Sequence, residues 1–326
     1  MTAPRFVGGG RITFEEKPLP APGSGQLLVQ VKANALCGSE RGQFGGGSAV
    51  TPGHEAAGVI AEVGPDTHIP VGTPGVVFLM DFCGVCRSCR LGLTNQCEAK
   101  RADMGFSHDG GYGPYVLIHE NVFFPITPDV SLTEATLLLD IMGTGGHAIA
   151  RAQAVRPDLE SLLVAGAGPI GLGVLAMAKM LLGPDMPVFI TDTIPYRLAL
   201  AERLGGFPIR LGDRSLPTVD AAVDTSGKEA ARRSAIDALD KRGVLVCVGH
   251  GQGLTLDISR DLIATERAVL GSEYFRFDEL PANLERLRAH RDYLAPIITH
   301  RYPVGEIQAA FGKFFGGETG KVIIEQ

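Results

Sequence analysis

At 326 residues the chain exceeds the usual single-domain size, so two domains, each burying its own core, are expected. A net charge of −6 offers no basic footprint for nucleic acid or an anionic membrane surface, and apolar runs such as 137–139 and 172–182 are too short or interrupted to span a bilayer. The opening MTAPRFVGGG carries neither the basic nor the apolar stretch of an export signal, so a cytoplasmic protein is expected. Residues 1–130 read as short strands split by Pro and Gly: 27–33 alternates, and 57–63, 75–79 and 115–119 follow. That spacing predicts an antiparallel, barrel-like β-domain.

Inside this β-domain, Cys83-x2-Cys86-x2-Cys89-x7-Cys97 puts four thiols in a polar, turn-rich segment. The spacing suits a tetrahedral zinc site; ligation by sulfur alone leaves no position for water or substrate, so the ion is structural. Two disulfides would need an oxidising compartment. At Ser131 the pattern changes to SLTEATLLL, a helical period opened by a Ser-x-x-Glu capping box. From Ser161 apolar runs alternate with helical ones: LLVAG, a helix over 169–182, VFITD, a helix over 195–204, VDAAVDTSG, a helix over 228–239, GVLVCVG and RAVLGS. Alternation of this kind predicts a doubly wound parallel sheet, an α/β fold. Beyond Ser272 come an amphipathic helix over 278–290 and a β-rich tail ending GKVIIE, which we read as returning to the first domain.

The run LLVA delivers the chain into Gly166-Ala167-Gly168-Pro169-Ile170-Gly171 and directly into a helix. In that setting Gly166 allows the tight turn, Gly168 the approach of a pyrophosphate, and Gly171 the close packing of helix on strand, while the helix N-terminus supplies N–H donors. Twenty-one residues after Gly171 the next strand ends at Asp192. A carboxylate there accepts from ribose hydroxyls and repels a 2′-phosphate, which favours NAD over NADP; Arg197, five residues on, could instead serve a 2′-phosphate or be a helix-surface charge. Cys247, in VLVCVG, reads as a core residue.

Upstream, Cys37 in CGSE and His54-Glu55 in PGHEAAG are further metal-ligand candidates. With the four-cysteine lobe, DGGYGPYV, the carboxylate at Asp140, GAGPIG with its following Asp192, and the terminal GKVII, their order resembles the zinc-dependent medium-chain dehydrogenases over essentially the whole chain, in particular the polyol, sorbitol and threonine dehydrogenase branch. The resemblance implies a GroES-like catalytic domain over 1–142 with a structural zinc lobe at 81–98, a Rossmann NAD-binding domain over 143–273, and a C-terminal segment, 274–326, that returns to the catalytic domain. It implies two zinc ions per chain, the catalytic one held by Cys37, His54 and Asp140 with Glu55 as ligand or exchangeable partner, and the structural one by Cys83, Cys86, Cys89 and Cys97. Thr144 falls where the family packs a residue against the nicotinamide, Ser39 can receive the substrate proton, and Glu40 can orient a ligand. Relatives often carry Asp at the position of Glu40 and His at that of Gly42, so a relay through that His is excluded here. The expected activity is oxidation of a secondary hydroxyl of a polyol, sugar derivative, cyclitol or hydroxy-amino acid by a homodimer or homotetramer. An NADP-linked ketone reductase and a silent zinc- and NAD-binding protein are the alternatives. Residues 43–50 and 275–277 are expected to line the substrate pocket.

Overall fold

The computed structural model describes residues 1–210 and 216–326. The N-terminal lobe is organised by the strand Gln26–Ala35. One edge of it pairs antiparallel with Ala56–Val63, in register Val31↔Gly58. The other edge pairs first with Tyr115–His119, in register Leu28↔Leu117, and then with the C-terminal strand Lys321–Glu325, in register Ile323↔Ala35. Covered on both faces, the strand buries Leu27, Leu28 and Val29 in succession instead of alternating as its 27–33 pattern predicts. Pro74–Val77 and Phe123–Pro125 extend the sheet beyond Ala56–Val63, and Ile298–Pro303 runs parallel to the last strand.

The second large sheet has six strands, all parallel, in the order Phe207–Arg210, Val188–Asp192, Leu162–Ala165, Val219–Asp224, Leu239–Cys247, Ala268–Gly271. Numbered along the chain this is 3-2-1-4-5-6, the doubly wound order whose direction reverses beside Leu162–Ala165. The predicted helices stand at Pro169–Leu181, Pro195–Arg203 and Glu229–Ala238. Sequence reading missed the hairpin Thr2–Gly8 with Arg11–Glu16, the strand Phe207–Arg210, and the helix Ile307–Gly316 inside the tail. Cys247 lies at the end of its strand and is half-buried, not in the core, because the strand stops there at the sheet's C-terminal edge. Among the described residues no helix is long and apolar enough to cross a membrane.

The link between the sheets departs most from its pattern. Ser131 caps Leu132–Ala135 by accepting from the Glu134 N–H, as predicted, but the helix tightens into a short turn at Thr136–Leu138 and breaks at Leu139, whose ψ is −106°. A wide turn, Asp140–Thr144, follows before the helix Gly145–Val155. This break carries the side chain of Asp140 away from the helix surface and into the interior, where it is 3% exposed. The turn packs on Gly173 of the nucleotide-side helix so closely that a Cβ there would stand 2.4 Å from the Ile141 carbonyl oxygen. One apolar core runs through both lobes, including Leu27, Val76 and Phe78 on one side and Leu162, Val174 and Val246 on the other. A second, aromatic core of Phe6, Tyr112 and Phe311 ties the first strand to the helix Ile307–Gly316.

Gly173→Ala tests that close approach. The added methyl meets backbone that cannot rotate away, so unfolding free energy should fall by about 1–3 kcal/mol in chemical denaturation.

Candidate active site

Four side chains from three separate stretches meet between the lobes. Cys37 ends the turn after the central strand, His54 and Glu55 lead into its partner Ala56–Val63, and Asp140 comes from the broken helix. One donor atom of each lies within 4.8 Å of the others. Cys37 Sγ is 3.2 Å and His54 Nε2 3.4 Å from Asp140 Oδ2. The second of these matches, and the first falls just short of, the edges of a tetrahedron of thiolate, imidazole and carboxylate donors around a zinc ion, about 3.3–3.6 Å for bonds of about 2.0–2.3 Å.

The pocket's charge also fits a cation. Glu40, Glu55 and Asp140 are all buried beside the Cys37 thiol. Lys321, fully buried on the last strand, ion-pairs with Glu55 Oε1. Burial opposes a charge on Lys321, but Glu55, Asp140 and Cys37 outweigh it and hold the ammonium above its ordinary pKa. Burial likewise raises Asp140, yet the His54 ring, Lys321 and Cys37 draw it well below the usual carboxylate range. Burial holds the Cys37 thiol and the Glu55 carboxyl above their ordinary pKa, while against burial Asp140, Cys37 and Glu40 raise the His54 ring, so these groups favour their protonated forms, and a divalent ion would offset the charge of their deprotonated, ligating forms. Around the donors a second layer is fixed by hydrogen bonds. Glu40 Oε1 faces His54 Nδ1 at 3.4 Å, while its Oε2 accepts from the Tyr112 hydroxyl at 2.6 Å and the Cys37 N–H at 3.3 Å. Thr144 donates to Asp140 Oδ1 at 3.1 Å, which leaves Oδ2 facing Cys37 and His54.

The cluster forms one end of a cleft of about 680 Å³ whose lining passes from Cys37, Ser39, His54 and Thr144 to Gly166, Gly168, Pro169, Ile170, Asp192 and Arg197. The cleft opens at the C-terminal ends of the parallel strands, at the switch in strand order. Gly166 has φ +105°, a conformation that favours glycine, and a Cβ on Gly171 would stand 1.8 Å from the Gly166 carbonyl oxygen. Asp192 accepts from the Ala167 N–H at 2.8 Å and the Ile194 N–H at 2.9 Å, so it also ties the glycine turn to the neighbouring strand. Arg197 is half-buried; burial lowers its pKa, partly offset by Asp192.

The four lobe cysteines are free thiols, with Cys83–Cys89 at 4.0 Å and Cys86–Cys97 at 3.9 Å between sulfurs. A zinc tetrathiolate has S–S edges of about 3.8 Å. Backbone N–H groups of Val85 and Cys86 donate to Cys83 Sγ and that of Cys89 to Cys86 Sγ, which lowers the Cys83 pKa and brings Cys86 down to about 6.

Two expectations about the pocket fail. Residues 43–50 stay off the cleft wall, where Gln43 donates instead to the Gly105 carbonyl, and Phe275 is fully buried against Phe78. The wall is made by Ser272, Glu273 and Tyr274 and by Phe314 and Phe315 of the unpredicted helix. Sequence reasoning also missed Tyr112 and Lys321, although both sit inside motifs it had singled out, DGGYGPYV and GKVII.

Comparison with known proteins gives two family matches: residues 23–128 match the alcohol dehydrogenase GroES-like domain and residues 169–289 the zinc-binding dehydrogenase model. The uncharacterized zinc-type alcohol dehydrogenase-like protein YphC of Escherichia coli is 26% identical over 99% of this chain and 98% of its own length. L-threonine 3-dehydrogenase of Rhizobium johnstonii is 29% identical over 96% of this chain and 94% of its own length. In fold, alcohol dehydrogenase TADH from Thermus sp. ATN1 superposes with a TM-score of 0.91 over 100% of both chains at 23% identity.

Lys321→Met leaves Glu55 buried without its cation and should destabilise the protein by about 3–5 kcal/mol in chemical denaturation. The double variant Lys321→Met with Glu55→Gln should recover most of that loss, and a double variant no more stable than the single one would show that the ion pair is not the cause.

Proposed function

The chain belongs to the zinc-dependent medium-chain dehydrogenases, and from that premise we propose that it is an NAD-dependent zinc alcohol dehydrogenase acting on a secondary hydroxyl of a small polar molecule. The carrying observation is the single cleft that holds the Cys37, His54, Glu55 and Asp140 donors at one end and the glycine turn with Asp192 at the other. The two separate donor sets support two metal sites per chain. The threonine dehydrogenase relative supports a secondary alcohol as substrate.

When bound, zinc supplies a Lewis acid that makes an alcohol oxygen more acidic, and NAD supplies the hydride acceptor. Cys37, His54 and Asp140 would hold the metal, with Glu55 close enough to replace one of them during turnover. Glu40 faces Nδ1 of His54 and so favours a proton there, keeping Nε2 free as the ligating nitrogen. Thr144 does the same for Asp140 by engaging its other oxygen. Ser39, exposed in the cleft two residues from Cys37, takes the substrate hydroxyl proton and passes it to water or a cofactor ribose hydroxyl, because Gly42 offers no further relay. Asp192 accepts from the adenosine ribose hydroxyls and disfavours a 2′-phosphate.

Metal analysis of the loaded protein should give two zinc ions per chain, and Cys37→Ser should lose one of them together with turnover while keeping the fold; a single zinc in fully loaded wild type contradicts the two-site reading. Asp192→Asn keeps an acceptor for the Ala167 N–H but loses the charge, so the KM for NAD should rise about tenfold or more, with discrimination against NADP relaxed. Higher wild-type kcat/KM with NADP than with NAD would count against NAD dependence. Ser39→Ala should lower kcat by about 100-fold or more while zinc and NADH still bind. Near-wild-type turnover in that variant, where hydride transfer limits the rate, would move the proton to another acceptor.

A further inference from the structure

The cleft wall facing the metal donors contains a residue that no motif announces. Tyr274 follows the last strand of the parallel sheet with φ +44°, a left-handed conformation rarely adopted by a bulky residue outside functional positions. It lines the cleft together with Cys37, His54, Asp140 and Thr144, and its hydroxyl has no hydrogen-bond partner among the described residues. Burial raises its pKa, with further influence from His54 and Asp140, so the phenol stays neutral and able both to donate and to accept.

The contorted backbone is held from outside the cleft. Asn95, buried in the four-cysteine lobe between Cys89 and Cys97, donates through Nδ2 to the Glu273 carbonyl at 2.8 Å. Its neighbour Thr94 accepts from the Phe277 N–H at 2.8 Å. These two bonds bracket Tyr274 on both sides. The lobe therefore presses on the residues that shape the substrate end of the cleft as well as folding around its own sulfurs.

We propose that Tyr274 is a specificity-determining residue: its hydroxyl pairs with a second hydroxyl of the substrate besides the reacting one, and Asn95 is the positioning residue that keeps Tyr274 in place. This rests on the alcohol dehydrogenase reading above. A polar group placed to bind a substrate hydroxyl discriminates strongly against an analogue lacking it, because the group is then left without a partner.

The test is steady-state kinetics of the zinc-loaded enzyme with NAD on butane-2,3-diol and on butan-2-ol, with NADH affinity measured by fluorescence. Tyr274→Phe should lower kcat/KM for the diol by about tenfold or more, change that for the mono-ol less than about threefold, and leave NADH binding unaltered. Asn95→Ala, with both zinc ions still present by metal analysis, should show the same selective loss. If Tyr274→Phe lowers both alcohols by one factor, or neither, the specificity role is overturned while the dehydrogenase reading stands. If only Asn95→Ala leaves the ratio unchanged, the positioning role of the lobe is overturned. A wild type that oxidises mono-ols or hydroxy-amino acids but no diol or polyol overturns this proposal while the dehydrogenase reading stands, and one that oxidises no secondary alcohol of any of these classes overturns both.

Discussion

Buried negative charge is the constraint around which the molecule is arranged. Glu40, Glu55, Asp140 and Cys37 are withdrawn from water in one place, and each uncompensated charge there costs several kcal/mol even after relaxation. The fold answers with Lys321, with hydroxyl and N–H donors from Tyr112, Thr144 and Cys37, and with a donor geometry suited to a divalent ion. Several features that look local follow from this. The helix break at Leu139 aims a carboxylate inward, and the aromatic core around Phe6 and Phe311 fixes the ring of Tyr112 against Glu40.

The second organising element is topological. A parallel sheet whose strand order reverses leaves a crevice at the carboxyl ends of its strands. The glycine turn, Asp192 and Tyr274 all lie at those ends, and the barrel lobe sets its charged pocket over the same opening. Cofactor and metal chemistry thus meet because two independent folding problems, covering a sheet and balancing a pocket, are solved at a single boundary. The continuous core that runs through both lobes keeps that boundary closed to solvent behind the cleft.

Much of this was legible in the sequence, for a physical reason in each case. Five of the six parallel strands and their helices were readable because both periodicities are regular, and the glycine turn because Gly166 and Gly171 answer local steric demands. The convergence of Cys37, His54 and Asp140 came through a resemblance, since no spacing rule links residues about a hundred positions apart. The cleft wall was misplaced by a few residues: Phe275 looked like a pocket residue, but beyond the strand the chain turns left-handed at Tyr274, which leaves Tyr274 on the cleft and the Phe275 ring in the core. Leu27–Val29 defied their alternating pattern because both faces of that strand are covered, which sequence-local reasoning cannot see. Tyr112 and Lys321 went unnoticed because a buried polar residue within an apolar motif gives no periodic signal, only a partner that three-dimensional structure reveals.

The ion pair between Glu55 and Lys321 joins positions 266 residues apart. A ribosome adding about 5–20 residues per second separates their emergence by roughly 13–50 seconds. Near the end of that interval, once Ala268–Gly271 has emerged, the parallel sheet has all its strands available and can close, whereas the N-terminal lobe still lacks both its last strand and the cation for its acidic pocket. Vectorial synthesis therefore makes the nucleotide-side lobe the scaffold and the metal-side lobe the late arrival, and a chain cut before Lys321 would keep an intact parallel sheet beside a β-lobe open at its most charged edge.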